Sequence, residues 1–252
     1  MAADDFAYVP GWAPDAVAMM SSRRAEDRAG AVLTRLRGTE TVVDVGCGPG
    51  TITVGLAGRL ASGGHVLGVD AQWSQVAAAR SNAAGVGNAR FAVAEAGALP
   101  CADRGVDVYF SHALFEHLAD PAGALAEARR VLRPGGLLAV TASDWSRARF
   151  APHTADIEAA LQGHRLLRRR AGGDPDAGGR LRSWIDAAGF AVAEVRSRQL
   201  VDMGYAELAA YVGDRLADAG PLAAARRWQR TAGTWTQCWT EVVARKLSEE
   251  RR

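Results

Sequence analysis

The chain opens on an arm punctuated by Pro10, Gly11 and Pro14, and its apolar spacing then predicts a helix over roughly Ala16–Arg37. From Thr41 the grammar switches to short apolar runs alternating with helical segments. Val42, Val43 and Val45 stop at Gly46; Val66, Leu67 and Val69 stop at Asp70; Phe91 and Val93 stop near Glu95. Val106–Phe110 and Leu137–Thr141 complete the set, the last one directly after Pro134-Gly135-Gly136. Short, continuous, β-branched runs separated by helices are the pattern of parallel strands buried on both faces. They predict an α/β domain with a doubly wound sheet.

Beyond Asp144 the pattern predicts helix over residues 145–188, interrupted by the loop Gly172-Gly173-Asp174-Pro175-Asp176. Phe190–Val195 reads as a strand, residues 204–235 as helical, and Trp239–Arg245 alternates apolar and polar like a final strand. The last two strands are expected to form a hairpin-like pair split by the helical insertion. The alternative is that Trp239–Leu247 ends the preceding helix. The expected division is an arm or lid over 1–40 and a domain over 41–252, with 145–188 and 204–235 as helical additions above the substrate.

Composition narrows the class. Across 252 residues, 48% are hydrophobic, and 30 basic side chains face 28 acidic ones. A full core is available, and a balanced charge argues against a dedicated nucleic-acid surface. The part after Asp144 is net basic, which suits either an anionic acceptor or a solvated helical face. Arg165-Leu166-Leu167-Arg168-Arg169-Arg170 reads as a solvated helix end. Three dispersed cysteines, Cys47, Cys101 and Cys238, suggest neither a disulfide framework nor a zinc site. The chain shows no 18-residue apolar run, and its first residues, MAADDFAYVP, lack the pattern of a signal peptide. A cytoplasmic monomer or homodimer that binds neither nucleic acid nor membrane is expected.

The densest chemical signal is Val42-Val43-Asp44-Val45-Gly46-Cys47-Gly48-Pro49-Gly50-Thr51. A strand runs into alternating glycines and then a helix, so the backbone can turn tightly and approach a ligand with no Cβ between them. The dinucleotide fingerprint needs a third glycine where Thr51 stands, which disfavours a NAD-dependent oxidoreductase. Cys47 fills the gap between two glycines and carries no sign of an activated thiolate. Asp70 ends the second run, where a carboxylate can accept from both hydroxyls of a ribose. Three further segments follow in order: Ala94-Glu95-Ala96-Gly97-Ala98-Leu99-Pro100, Val106 through Leu118, and Ala128-Arg129-Arg130-Val131-Leu132-Arg133-Pro134-Gly135-Gly136-Leu137.

These five segments resemble, in order and spacing, the motifs of class I S-adenosylmethionine (SAM)-dependent methyltransferases. The resemblance is strongest to the ubiquinone/menaquinone-biosynthesis-like group and its small-molecule relatives in secondary metabolism. Met19–Glu26 is similar to that group's helix before the first motif, and Gly172–Pro175 with Gly179-Arg180-Leu181 to a loop after its fifth strand. The resemblance implies a Rossmann-like, seven-stranded, mainly parallel sheet with an N-terminal helical arm. It implies SAM as cofactor, with Glu95 reaching the adenine amino group. It implies a cofactor site built from Tyr8, Arg24, Gly46, Cys47, Gly48, Gly50, Asp70, Ala71, Gln75, Glu95, Ala96, Ser111 and His112. The expected acceptor contacts are Tyr8, Trp12 and Trp145, with Phe6–Trp12 closing over bound ligands.

His112 and His117 lie five apart around Glu116, which is not the spacing of a zinc-binding helix. They are the candidate catalytic bases, His117 first. His153 and His164 read as ordinary helix residues, and Trp184, Trp228, Trp235 and Trp239 as core. The expected reaction is methyl transfer from SAM to a small molecule. The alternative is a protein that binds SAM without transferring its methyl group, either catalysing a rearrangement or regulating.

Overall fold

The computed structural model describes residues 14–60 and 63–247. Seven strands form one sheet: β1 (Thr41–Val45), β2 (His65–Asp70), β3 (Ala89–Val93), β4 (Val106–His112), β5 (Leu132–Ala151), β6 (Phe190–Leu200) and β7 (Thr234–Lys246). Their order is β3-β2-β1-β4-β5-β7-β6, with β1 to β5 parallel and β7 antiparallel to both its neighbours. The expected Rossmann-like sheet is therefore present, closed by the β6–β7 pair.

The two-faced burial implied by the apolar runs is met residue by residue. Val43, Val45, Tyr109, Leu138, Val140, Val242 and Ala244 pack on one face, against Leu125 and Ala128 of α6 (Pro121–Val131) and Leu181 and Ile185 of α8 (Ala177–Ala187). Val42, Val108, Phe110, Leu137, Ala139 and Val243 pack on the other. They meet Leu56 and Ala57 of α4 (Thr51–Arg59) and Val76 and Ala79 of α5 (Trp73–Asn82). Trp184 packs against the first of these cores.

Where the structure departs from the sequence reading, the cause is long-range. The single helix expected over Ala16–Arg37 is three: α1 (Pro14–Ser22), α2 (Ala25–Arg28) and α3 (Gly30–Leu33). Arg24 is extended (φ −118°, ψ 152°), so the chain turns there and buries Ala25 against Gly55 of α4. Residues 145–151 are strand, not helix. They extend β5 past a bulge, pairing Arg149, Phe150 and Ala151 with Thr236, Trp235 and Thr234. β6 likewise runs on to Leu200, and β7 begins at Thr234, so the expected helix over 204–235 resolves into α9 (Tyr205–Gly213) and α10 (Ala219–Trp228). Pairing of β7 with β5 and β6 excludes the helical reading of Trp239–Leu247.

α7 (Ala155–Arg170) starts at Thr154, whose hydroxyl accepts from the Ile157 amide. His153 lies before this cap and is not helical. α7, α9 and α10 form a third hydrophobic layer, with Ile157, Leu161, Leu208, Val212 and Trp228 packed around Trp145 and Trp235. This layer stands over the overhang of β5 and roofs the C-terminal edge of the parallel strands, where open α/β sheets bind ligands.

Candidate functional site

A cavity of about 870 Å³ lies along that edge. Its first half is built by strand ends. Gly46 and Gly48 hold φ of +75° and +52° after β1, conformations that an L side chain adopts at a cost. A Cβ at Gly48 would meet nothing nearer than Gln75 Oε1 at 3.8 Å and Met20 Sδ at 3.9 Å, so the loop leaves open space above it. Asp44, buried beneath the loop, accepts from the Thr53 hydroxyl at 2.5 Å, and burial pushes its carboxyl up to about 7.

Asp70 closes β2. Its Oδ2 accepts from the Gly48 amide at 2.9 Å and its Oδ1 from the Gln72 amide at 3.0 Å. A carboxylate offers about four acceptor sites, so two remain for a pair of hydroxyls facing the cavity. Burial raises this carboxyl above its ordinary value, and the two amides oppose the shift. Ala71, Ala94, Glu95, Ala96 and Gly97 continue the wall at the ends of β2 and β3. The opposite side is formed by Ala113 and Leu114 after β4; Ala113 holds a φ of +59°, uncommon for a residue with a side chain. An open glycine turn, a fixed carboxylate with free acceptor sites and an apolar shelf beyond it fit the loop-side, ribose and base portions of SAM.

Of the thirteen expected cofactor residues, Gly46, Cys47, Gly48, Asp70, Ala71, Glu95, Ala96 and His112 line the cavity. Four described ones do not. Gly50 serves packing: at φ +77° its Cβ would lie 2.8 Å from Ala79 Cβ and 3.0 Å from the Phe91 ring. Ser111 is turned to the sheet, donating to the Val45 carbonyl at 2.9 Å. Gln75 is buried beside Gly48, its Oε1 without a partner. Arg24 is exposed and donates to the Ser21 carbonyl; its neighbour Arg23, on the other side of the helix break, lines the cavity instead. Tyr8, Trp12 and the expected lid Phe6–Trp12 lie outside the described residues.

The second half of the cavity is aromatic. Trp145 is present as expected, with Trp235 6.3 Å away ring to ring. Trp239 stacks on His112 at 4.9 Å. Trp235 and Trp239, expected in the core, are buried yet line this space, as do Met203, Leu208 and Tyr211. Trp228 is core, as expected. Arg168 corrects the reading of 165–170 as a solvated face: it is 5% exposed, and its Nη2 donates to the Glu116 carbonyl and lies 3.3 Å from His117 Nδ1. Arg165 donates to the Trp145 carbonyl at 2.8 Å. Helical periodicity located α7 but not which face the third layer would bury, and no local signal marks Arg168.

Both candidate bases line the cavity. Burial pushes the His112 and His117 imidazoles well below the ordinary histidine value. Arg23 and Arg28 add to the effect at His112, Arg168 and Arg23 at His117. Both are neutral near pH 7. His164, behind Trp145, is buried with neither ring nitrogen partnered, and is pushed down to about 3, chiefly by burial and then by Arg168. Because the unfolded chain takes up this proton at higher pH than the folded one, stability is lost as pH falls from about 6.5 toward 3. His164→Phe is expected to flatten that loss by up to about 1.4 kcal/mol per pH unit. Urea unfolding midpoints from pH 4 to 7 measure it, and parallel curves for the two proteins would refute the assignment.

A family profile described as "Methyltransferase domain" matches residues 36–184. The chain belongs to this methyltransferase family. Its strand order and motifs place it in the SAM-dependent class I fold. A probable methyltransferase of Aspergillus luteorubrus is 34% identical over 183 residues, covering 68% of this chain and 62% of that protein. An uncharacterised methyltransferase of Schizosaccharomyces pombe is 30% identical over 174 residues, 66% of this chain and 62% of that one. A 37.1 kDa protein of a Streptomyces fradiae transposon is 40% identical over 106 residues, 42% of this chain and 31% of that one. The chain thus spans less than two thirds of the length of these relatives. The crystal structure of the [4+2]-cyclase SpnF superposes with a TM-score of 0.60 at 22% identity, over 92% of this chain and 82% of that one, and shows the shared fold.

Proposed function

We propose that the protein transfers the methyl group of SAM to a small, partly aromatic acceptor, a quinone-like compound or secondary metabolite. The observation that carries this reading is the continuity of the cavity. One space joins the Gly46–Gly48 turn and Asp70 to the aromatic half at Trp145, Trp235 and Trp239, and its volume lies in the range of ligand sites. Asp70 and Glu95 are assigned to the ribose and adenine, and Trp145 to the acceptor. SAM, when bound, supplies a methyl group already activated on a sulfonium, so that transfer needs a single displacement.

What remains for the chain is alignment and exclusion of water. Alignment alone can supply roughly 7–11 kcal/mol, and the third helical layer with its tryptophans keeps the meeting point dry. Beside it the described residues place His112, His117 and the buried carboxyl of Glu116, which burial raises above its ordinary value and whose Oε2 has no hydrogen-bond partner. An imidazole held neutral by burial and by guanidiniums is a poor proton acceptor, because both resist the charge that protonation brings. His112→Ala and His117→Ala are therefore each expected to retain single-turnover rates within about tenfold, against the ~10²–10⁴-fold cost of losing a true base. A hundredfold loss in either variant, with folding and SAM affinity intact, would identify the base and end the positioning reading.

The reaction itself is tested by incubation of the protein with methyl-labelled SAM and candidate aromatic acceptors. S-Adenosylhomocysteine and a labelled product should accumulate together. Turnover of an acceptor with SAM bound but unconsumed would assign the protein to SAM binding without methyl transfer.

A further inference from the structure

β7 presents an amide between two indoles. Trp235, Gln237 and Trp239 alternate along it and so share one face, and all three line the cavity. Gln237 is 2% exposed. Its Nε2 donates to the Cys238 carbonyl at 3.2 Å, which fixes the amide, since only its NH2 side can face a carbonyl. Oε1 is left buried and without a partner among the described residues. The Trp235 indole is held as well, its Nε1 donating to the Met203 carbonyl at 2.8 Å. A buried acceptor that meets no donor costs free energy, and this one belongs to the wall of a ligand cavity.

Its place on the sheet separates Gln237 from the cofactor. Pairing of Asp44 with Phe110 brings Gly46 level with His112, and His112, Thr141 and Glu241 stand in one row across β4, β5 and β7. Gln237 lies four residues beyond Glu241 in that row. At ~3.3 Å per residue and ~4.8 Å per strand, it is roughly 13 Å along and 14 Å across the sheet from the glycine turn. The amino-acid end of SAM, seated at that turn, does not reach so far. Asp70 and Glu95, assigned to the ribose and adenine, stand on β2 and at the end of β3, in the opposite direction. His112 Nδ1 and Ser143 Oγ are also buried without partners. They stand on β4 and β5, nearer the turn, where the cofactor's own polar groups can meet them, so they do not discriminate.

The charge of this half narrows the donor that Oε1 awaits. Arg23 and Arg28 share the single carboxylate of Asp202, so a further cation is disfavoured and a neutral hydroxyl is the complement. We propose that Gln237 determines acceptor specificity, accepting a hydrogen bond from an uncharged ring hydroxyl at the end of the acceptor remote from the transferred methyl group. This rests on the methyltransferase reading above and narrows it. The acceptor is a flat, hydroxylated compound held beside Trp235 and Trp239, and the hydroxyl that Gln237 binds is not the atom methylated.

The test uses 2-naphthol and 2-fluoronaphthalene, which are nearly equal in shape, one with a donor and one without. Equilibrium dialysis against the full chain, with and without saturating S-adenosylhomocysteine, gives both affinities. Naphthol should bind at least about tenfold more tightly, because a site built to accept from a hydroxyl rejects the analogue that lacks it. In Gln237→Met that preference should fall below about twofold, the acceptor atom being gone. S-Adenosylhomocysteine affinity should stay within about threefold, as expected for a distant, independent site. A merely structural amide would lower both naphthalenes alike and leave their ratio unchanged. Equal binding of the pair to the wild type, or a preference that survives intact in Gln237→Met, would overturn the proposal. If Gln237→Met does not fold, the wild-type pair and Gln237→Leu decide it. A wild-type protein that binds no S-adenosylhomocysteine would refute the cofactor reading, while the naphthalene comparison without it still decides this one.

Discussion

Asp70→Ala is expected to weaken binding of SAM and S-adenosylhomocysteine by about 1.5–3 kcal/mol, the scale for hydrogen bonds to a charged group, or roughly 10- to 150-fold in Kd. The carboxylate is held before any ligand arrives: the Gly48 and Gln72 amides fix one oxygen each. Its removal takes away the acceptor sites assigned to the ribose and also frees the Gly48 amide, so the glycine turn loses an anchor. Asp70→Asn should fall between alanine and wild type, since one oxygen survives without the charge. NADH should not bind any of the three proteins. Calorimetric affinities equal in wild type and Asp70→Ala would remove Asp70 from the site.

Trp228→Ala is expected to have the largest effect on stability, about 3–5 kcal/mol, the usual cost of truncating a fully buried Trp or Phe. Trp228 is 1% exposed and stands edge-on to Phe150 at 5.7 Å and to Tyr205 at 5.8 Å. It ties α10 to α9 and to the overhang of β5, so the cavity it leaves would lie at the centre of the third layer. For a chain of this size each kcal/mol moves Tm by about 2–4 °C, so a fall of roughly 6–20 °C is expected. The layer supplies Leu208, Tyr211 and Arg168 to the aromatic half of the site, whereas the glycine turn rests on the main sheet. Acceptor binding should therefore suffer more than S-adenosylhomocysteine binding. A thermal and urea unfolding comparison that finds less than 1 kcal/mol would show that the layer is held by other contacts.

The uneven legibility of the chain has a local cause. β1 to β4 and the turns after them could be read because each is specified within a few residues: an apolar run, a glycine needing positive φ, a carboxylate at a strand end. The boundaries beyond Asp144 could not. Residues 145–151 carry no strand pattern of their own, and become strand because Thr234, Trp235 and Thr236 pair with them from far along the chain. Trp239 illustrates the same limit at the level of a side chain. Its alternating neighbours marked a strand, but that its ring would stack on His112 depends on β7 lying beside β5, which in turn lies beside β4.

By itself the sequence determined the parallel half of the sheet, the glycine turn, the placement of Asp70 and Glu95 on one edge, and the family. Those features arise from backbone conformation and hydrophobic period, which neighbouring residues set. Only the tertiary structure decided which arginine of the Arg23-Arg24 pair enters the cavity, that Arg168 is buried, and that Trp235 and Trp239 line the same cavity as the glycine turn. Each depends on where a distant segment packs. Arg23 meets Asp202 across 179 residues, a contact to which local propensity contributes nothing. Burying both together sets the charge of the cavity, because a charge out of water must find its partner in whatever the fold brings beside it.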